Sequence, residues 1–282
     1  MRAKLGAVLR IIIFSIIAIV LIRILTGGIG LNLFSKYRKP AASQSSGTVI
    51  SEGTPIHGED VEKLDISWVA GDVRIVPGTQ EEITVTEDRL DSDQPMILRR
   101  DGSRLVVEFC ESSWYSSLST QKKDLTVTVP AAWSGRTLKV NLVSAGLTCT
   151  GLDLEQAELS TVSGACTLRD CTVGTLKMEA ASGNLNFTGD LGQLKFDGVS
   201  ARANLTVQEA PEEIKMNSVS GDLDLTLPAG CGFTLDNSTI SGRLDTDFPT
   251  AEQGGKTVSG DGACEIELNG VSASAHIRQG EQ

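Results

Sequence analysis

Six serines, Ser144, Ser163, Ser182, Ser200, Ser220 and Ser241, are each followed by Gly or Ala, and of all residues in this chain they look most like a reactive site. A Ser beside Gly on a tight turn can be a nucleophile. That chemistry needs a general base within hydrogen-bond reach, and the chain has two histidines, His57 and His276. One imidazole cannot serve six hydroxyls. The serines fall 19, 19, 18, 20 and 21 residues apart, and a period near 20 residues marks a stacked array. Gly or Ala then marks a corner where each turn of the stack bends, with Ser satisfying local backbone groups.

The other chemically able residues also fall into the repeat. Cys149 lies five residues after its Ser and Cys166 three after its own, positions that other copies fill with Leu, Phe or Ile. Cys264 takes the fifth position of the irregular copy at 258–260, and Cys171 the place of Leu152 one turn earlier. With Cys110 and Cys231 the count is even, which leaves disulfides as the alternative to buried thiols. No C-x-x-C pair points to zinc. Asp222, Asp224, Asp245 and Asp247 are expected on adjacent turns and could offer calcium oxygen ligands. Two residues past the Ser, however, come Arg202, Asp222 and Arg243, expected on consecutive turns as a ladder that neutralises itself. The glycine-rich nonapeptide of calcium-bound solenoids is absent, so neither a metal nor a cofactor is expected.

No paired carboxylates, phosphate loop or triad stands clear of the repeat, and the sequence reads as non-catalytic. A polysaccharide-acting enzyme, using an outward acid such as Asp224, is the remote alternative. The candidate contact surface comprises Trp114 and Tyr115, in the polar stretch 111–123, and the outward Asp224 and Asp245. The alternative for Trp114 is packing over the N-terminal cap.

The elements that would position these residues are strands. Around each Ser the apolar residues sit one before, three after and five after, with the small residue one after, so all four are expected on one core-facing side. The position four past the Ser is polar: Thr148, Thr167, Asn186, Asn204, Asp224, Asp245 and His276. In sequence order this outward ladder passes from neutral to acidic. A second strand precedes the Ser, as in Leu138-Lys139-Val140 and Leu194-Lys195-Phe196. At about 3.3 Å per residue, a 19-residue turn traces roughly 60 Å, room for two or three short strands that pair in parallel with the next turn. The fold class is all-β: a single-strand-per-side parallel β-solenoid of 18–21 residues per coil, right-handed by the crossover rule, with an N-terminal transmembrane helix.

The 282 residues have a net charge of −11. Seven of the 25 basic residues and none of the 36 acidic ones fall in residues 1–39, leaving the rest at −18. A domain so acidic is a poor nucleic-acid partner. Residues 5–25 are almost all apolar and long enough to span a bilayer, and no cleavage pattern follows closely. The positive flanks on the two sides nearly balance; a cytoplasmic domain is the alternative to the expected extracytoplasmic one. The expected organisation is an anchor with basic flanks at 1–39, a flexible linker at 40–60, a β cap or irregular first coils at 61–124, and solenoid repeats at 125–282. An alternating Leu64-Asp65-Ile66-Ser67-Trp68 opens the cap.

The order of parts resembles a known family. A membrane segment, an early Gly71-Asp72-Val73 strand, Asp124 to Pro130 opening the array, and repeated Val-Ser-Gly-Asp-Leu-x-Leu, best at Val219 to Leu225, are similar to the bacterial β-strand-repeat family of unknown function labelled "putative adhesin". That family includes the membrane-anchored G component of a cell-envelope stress operon. The resemblance covers roughly residues 61–282 and implies a non-catalytic, envelope-associated solenoid; with the apolar run at 5–25 the expected protein is single-pass in the cell membrane, its solenoid an adhesive or scaffolding surface. Its implied partners are the membrane, through the N-terminal helix, and an envelope protein or glycan. A regulatory membrane partner in envelope-stress signalling is the alternative. The last copies depart from the pattern, since Ser241 and Ser272 are 31 residues apart.

Overall fold

The computed structural model describes residues 48–50, 54–88, 95–110, 122–133 and 136–280. The expected anchor at 1–39 and the loop carrying Trp114 and Tyr115 lie outside the described residues. Among the described residues no helix is long and apolar enough to cross a membrane, and helical structure is limited to a 3-10 turn at Gly58–Asp60. The rest is β: β1 (Thr48–Val49), β2 (Lys63–Gly78), β3 (Thr84–Asp88), β4 (Ile97–Asp101), β5 (Arg104–Glu108), β6 (Asp124–Pro130), β7 (Arg136–Thr150), β8 (Asp153–Ser163), β9 (Cys166–Ser182) and β10 (Leu185–Ser200). Then follow β11 (Ala203–Val207), β12 (Glu213–Ser220), β13 (Leu223–Leu227), β14 (Phe233–Thr239), β15 (Leu244–Thr246), β16 (Ala251–Gln253), β17 (Lys256–Ser259), β18 (Cys264–Ser272) and β19 (Ala275–Gln279).

These strands build a solenoid-like stack with two long faces. One face runs β1, β4, β5, β2, β7, β8, β9, β10, β12, β18, β14, β17, β16, parallel from β5 to β14 and antiparallel at both margins. The other runs β3, β6, β2, β7, β9, β10, β11, β13, β19, β15, parallel except for β3. The long strands β2, β7, β9 and β10 turn the corner and serve both faces.

At each end the stack departs from chain order. The coil made by β5 and β6 lies outside β2, although it follows β2 in sequence. At the far end the last coil, β18 with β19, inserts between β12–β13 and β14–β15. This explains the 31-residue gap between Ser241 and Ser272: the chain must reach the end, form the hairpin β16–β17, and return to fill the vacant slot. The stretch 54–60, read in the sequence within the linker, packs against the first coils through the buried Ile56, with His57 bridging Glu82.

The core consists of columns of aliphatic side chains. Leu105, Leu64, Leu138, Ala157, Leu176, Leu194, Ile214, Ile266 and Leu235 stand in register through nine layers, all buried. Burying each large member is worth about 1.5–3 kcal/mol relative to exposure.

The burial pattern corrects one expectation. Positions one, three and five after the Ser are inward, but the residue before it is not: Val143, Val162, Val199, Val219 and Val271 are half-buried and Ile240 is 54% exposed. The inward positions ahead of the corner are two, four and six before the Ser in every copy but that of Ser241, where Asn237 is exposed. The alternation slips by one at each corner because the bend turns two successive side chains outward.

Candidate functional site

The serines do line up along the stack, in two registered runs. Register places Ser163 beside Ser182, and Ser200 beside Ser220 beside Ser272. All are exposed along one corner. The next residue approaches the preceding coil so closely that a Cβ on Gly221 or Gly242 would overlap the carbonyl oxygen of Ala201 or Ala273. Ala survives at this position only where its neighbour toward the N-terminal end is Gly, as Ala201 follows Gly183 and Ala273 follows Gly221. The corner role is visible at Ser241, whose Oγ donates to the Val271 carbonyl at 3.2 Å. Beside the serines a polar groove of about 380 Å³ is lined by Asn184, Ser200, Arg202, Ser220, Asp222 and Ser272. Its charges are engaged: Arg202 Nη2 is 3.0 Å from Asp222 Oδ2, and its Nε is 3.5 Å from Asp224 Oδ2.

The acidic ladder is not arranged as its sequence order suggests. Asp224 and Asp245 are not on adjacent coils, because the inserted last coil places His276 in register with both. His276 Nδ1 is 3.5 Å from Asp245 Oδ2, and Arg278 reaches Asp245 at 2.5 Å and Asp247 at 3.4 Å. The Arg278 hydrogen bond holds the Asp245 carboxyl below the usual carboxylate range. Likewise Arg202, Asp222 and Arg243 are not consecutive, since Ser274 stands between the last two, its N–H donating to Asp222 Oδ1 and its Oγ accepting from the Arg243 N–H. The outward ladder therefore does not end in a growing acidic patch; at its acidic end an imidazole and a guanidinium are interleaved with the carboxylates. Upstream the ladder is an amide chain, with Asn204 Nδ2 donating to Asn186 Oδ1 at 2.8 Å. Among the described residues no group of three His, Cys, Asp or Glu is placed to hold a metal.

Cys149, Cys166, Cys171, Cys231 and Cys264 are free thiols, all buried except the half-buried Cys231. Burial pushes the thiols of Cys166 and Cys264 up to about 12, and raises those of Cys149 and Cys171. These are core side chains and not nucleophiles.

One constellation had no sequence signal. Lys123 is wholly buried, with Nζ 3.1 Å from Glu87 Oε2, hydrogen-bonded to the Phe109 carbonyl, 4.2 Å from the Phe109 ring centroid and 5.3 Å from that of Trp68. Trp68 Nε1 donates to the Lys123 carbonyl at 2.8 Å. The cation is thus clamped by a carboxylate, a carbonyl and two ring faces. Its partners come from β2, β3 and the end of β5, up to 55 residues away in sequence, so no local spacing announces it. Lys122-Lys123-Asp124 reads as an ordinary solvated charge cluster.

With this geometry in hand, comparison with known proteins adds a family. Residues 61–191 match the family described as Toastrack DUF4097, which bears out the resemblance to a β-repeat family of unknown function. No curated protein matches the chain. Among similar solved structures is a "putative cell adhesion protein" of Clostridium sporogenes, 9% identical with a TM-score of 0.37, covering 83% of this chain and 100% of that one. A "putative adhesin" of Bacteroides fragilis is 12% identical with a TM-score of 0.37, covering 83% and 98%. A "putative lipid binding protein" of Parabacteroides distasonis is 10% identical with a TM-score of 0.35, covering 84% and 98%.

Proposed function

We propose that this chain is a non-catalytic, membrane-anchored β-repeat protein of the bacterial cell envelope, displaying its solenoid outside the cell as an adhesive or scaffolding surface. The observation that carries the reading is the state of its polar groups. The exposed serines line a corner, where Ser241 Oγ bonds the Val271 carbonyl, Arg202 beside them is paired with Asp222 and Asp224, and the thiols other than the half-buried Cys231 are core. Such a surface presents hydrogen-bonding groups at the strand spacing, about 4.8 Å, and has no activated nucleophile. The apolar run at 5–25 supports anchoring, since its length suits a bilayer.

Protease added to intact cells tests the placement. Cleavage in the segment between anchor and solenoid should release the β-domain, and complete protection of the domain would overturn the extracytoplasmic reading. Crosslinking in the membrane tests the role: capture of one specific membrane protein, lost when residues 1–39 are replaced by an unrelated anchor, would favour the regulatory reading over adhesion.

A further inference from the structure

The two faces of the stack finish differently at the C-terminal end. On one face the hairpin β16–β17 pairs with Phe233–Leu235 of β14. On the other β15 is the last strand, and among the described residues its outer edge pairs with nothing. From Leu147 to Ala275, the residue three past each of six corner serines donates its N–H to a carbonyl of the next coil at 2.8–3.0 Å. Leu244 holds the same place in the terminal coil, and no coil follows it. The Ala275 N–H donates to the Arg243 carbonyl and the Asp247 N–H to the Ile277 carbonyl, so residues 243 and 247 turn these backbone groups toward β19, while Leu244 and Thr246 turn theirs toward the free edge. Side-chain exposure agrees. The six equivalents of Leu244 are at most 1% exposed, whereas Leu244 is half-buried and Ile240, just before the corner, is 54% exposed.

Charged side chains ordinarily guard such an edge against pairing. Here they complement themselves. The side chains of Arg243, Asp245 and Asp247 are exposed and those of Leu244 and Thr246 half-buried, in strict alternation. A second copy related by a twofold axis through Leu244 runs antiparallel, with Arg243 of each copy opposite Asp245 of the other at about 4.5 Å between Cα atoms. The two Leu244 residues then exchange N–H and C=O, and their side chains meet as a continuation of the inward column. Arg202 and Arg278 are paired within the chain, but the Arg243 guanidinium forms no ion pair among the described residues. Its complement is supplied by the other copy.

We infer that the free edge of β15 is a pairing site for a second copy of this chain, joined end to end about a twofold axis. The pairing rests on the terminal coil alone. It deepens the adhesive reading by naming the partner: β1 lies at the opposite margin of the stack, so the N-terminal margins of a pair face away from one another, and with the anchor reading of residues 5–25 the pair joins two membranes.

Charge exchange tests the inference in the full chain, solubilised in detergent micelles and followed by fluorescence energy transfer between two differently labelled populations. Wild type should self-associate, and Arg243→Asp or Asp245→Arg alone should weaken association at least about tenfold, because like charges then face one another. An equimolar mixture of the two variants should associate as wild type does, since each altered charge meets its opposite on the other copy. Arg243→Asp associating as tightly as wild type would assign the contact to the anchor or another face, and a wild-type chain monomeric at every concentration would leave the edge to a different polypeptide. Either overturns the inference, as does a mixture no tighter than its components. Pairing in micelles together with complete protection from protease on intact cells would keep this inference and overturn the extracytoplasmic placement; protease release without pairing would do the opposite.

Discussion

Lys123 Nζ lies 3.1 Å from Glu87 Oε2, with the lysine side chain fully buried and the glutamate 7% exposed. Breaking a buried pair on one side leaves a charge without its counterion, at a typical loss of 3–5 kcal/mol, whereas replacing both partners with apolar residues is often neutral. Lys123→Met should therefore lower stability by about 3–5 kcal/mol, and Lys123→Met with Glu87→Leu should recover much of that loss. Urea unfolding of both variants measures it. A double variant no more stable than the single would show that the cation–ring contacts with Trp68 and Phe109, or the Met96 N–H bond that Glu87 accepts at 3.0 Å, outweigh the unpaired charge.

The close approach at the corners predicts an asymmetry between Gly and Ala. Gly221→Ala must push Ala201 and its coil away and should destabilise the chain by about 1–3 kcal/mol, the usual range for overpacking. Ala201→Gly removes a methyl where there is room and should cost less than about 1 kcal/mol. Thermal unfolding of the two variants, matched in pH and salt, compares them.

Burial raises the Asp65 carboxyl above its ordinary value, against the lowering influence of Arg104, Lys139 and Lys63. A carboxylate with a raised folded-state pKa favours the folded chain when protonated, and that contribution is lost as pH rises through the folded value. Asp65→Asn, which mimics the protonated form, should therefore raise the urea midpoint at pH 7. The gain should close as pH falls below 3.8, the reference value of the free side chain. A variant less stable than wild type at pH 7 would mean that the Arg104 contact, at 3.8 Å, outweighs burial.

The thiols give a direct readout of the core. At pH 8 in the native chain Cys149, Cys166 and Cys264 should resist an alkylating reagent, while the half-buried Cys231 reacts first; in denaturant all should react. Peptide mass mapping resolves the sites. Rapid native labelling of Cys166 would contradict its place in the inward column.

Much of the stack was legible in the sequence. Inward Leu147, Cys166 and Leu185 and outward Thr148, Thr167 and Asn186 follow from period-two alternation, because parallel register aligns equivalent residues of successive copies. The slip at each corner was not legible, since an apolar Val before the Ser fits either phase and only the bend decides. The neighbours of Asp224 and Asp245 were misplaced for a different reason. Sequence order predicts spatial order only while each coil lands on its predecessor, and the choice of β12 as partner for β18 is made by distant backbone hydrogen bonds. The Lys123 clamp was invisible because its parts are local commonplaces: an alternating Trp, a strand Glu and a Lys beside a turn.

The coil built by β18 and β19 leaves the ribosome after β14 to β17, yet its slot lies inside the stack. Until then β12 and β13 present bare edges, and β14 and β15 have nothing to pair with on their inner side. The C-terminal third of the solenoid therefore cannot zip up as it is synthesised; it must wait for residues 264–279 and close in one late step. A nascent chain stalled before residue 264 would expose open strand edges, the state most prone to pair with a neighbour. The inserted coil is thus a completion check on the strands that precede it.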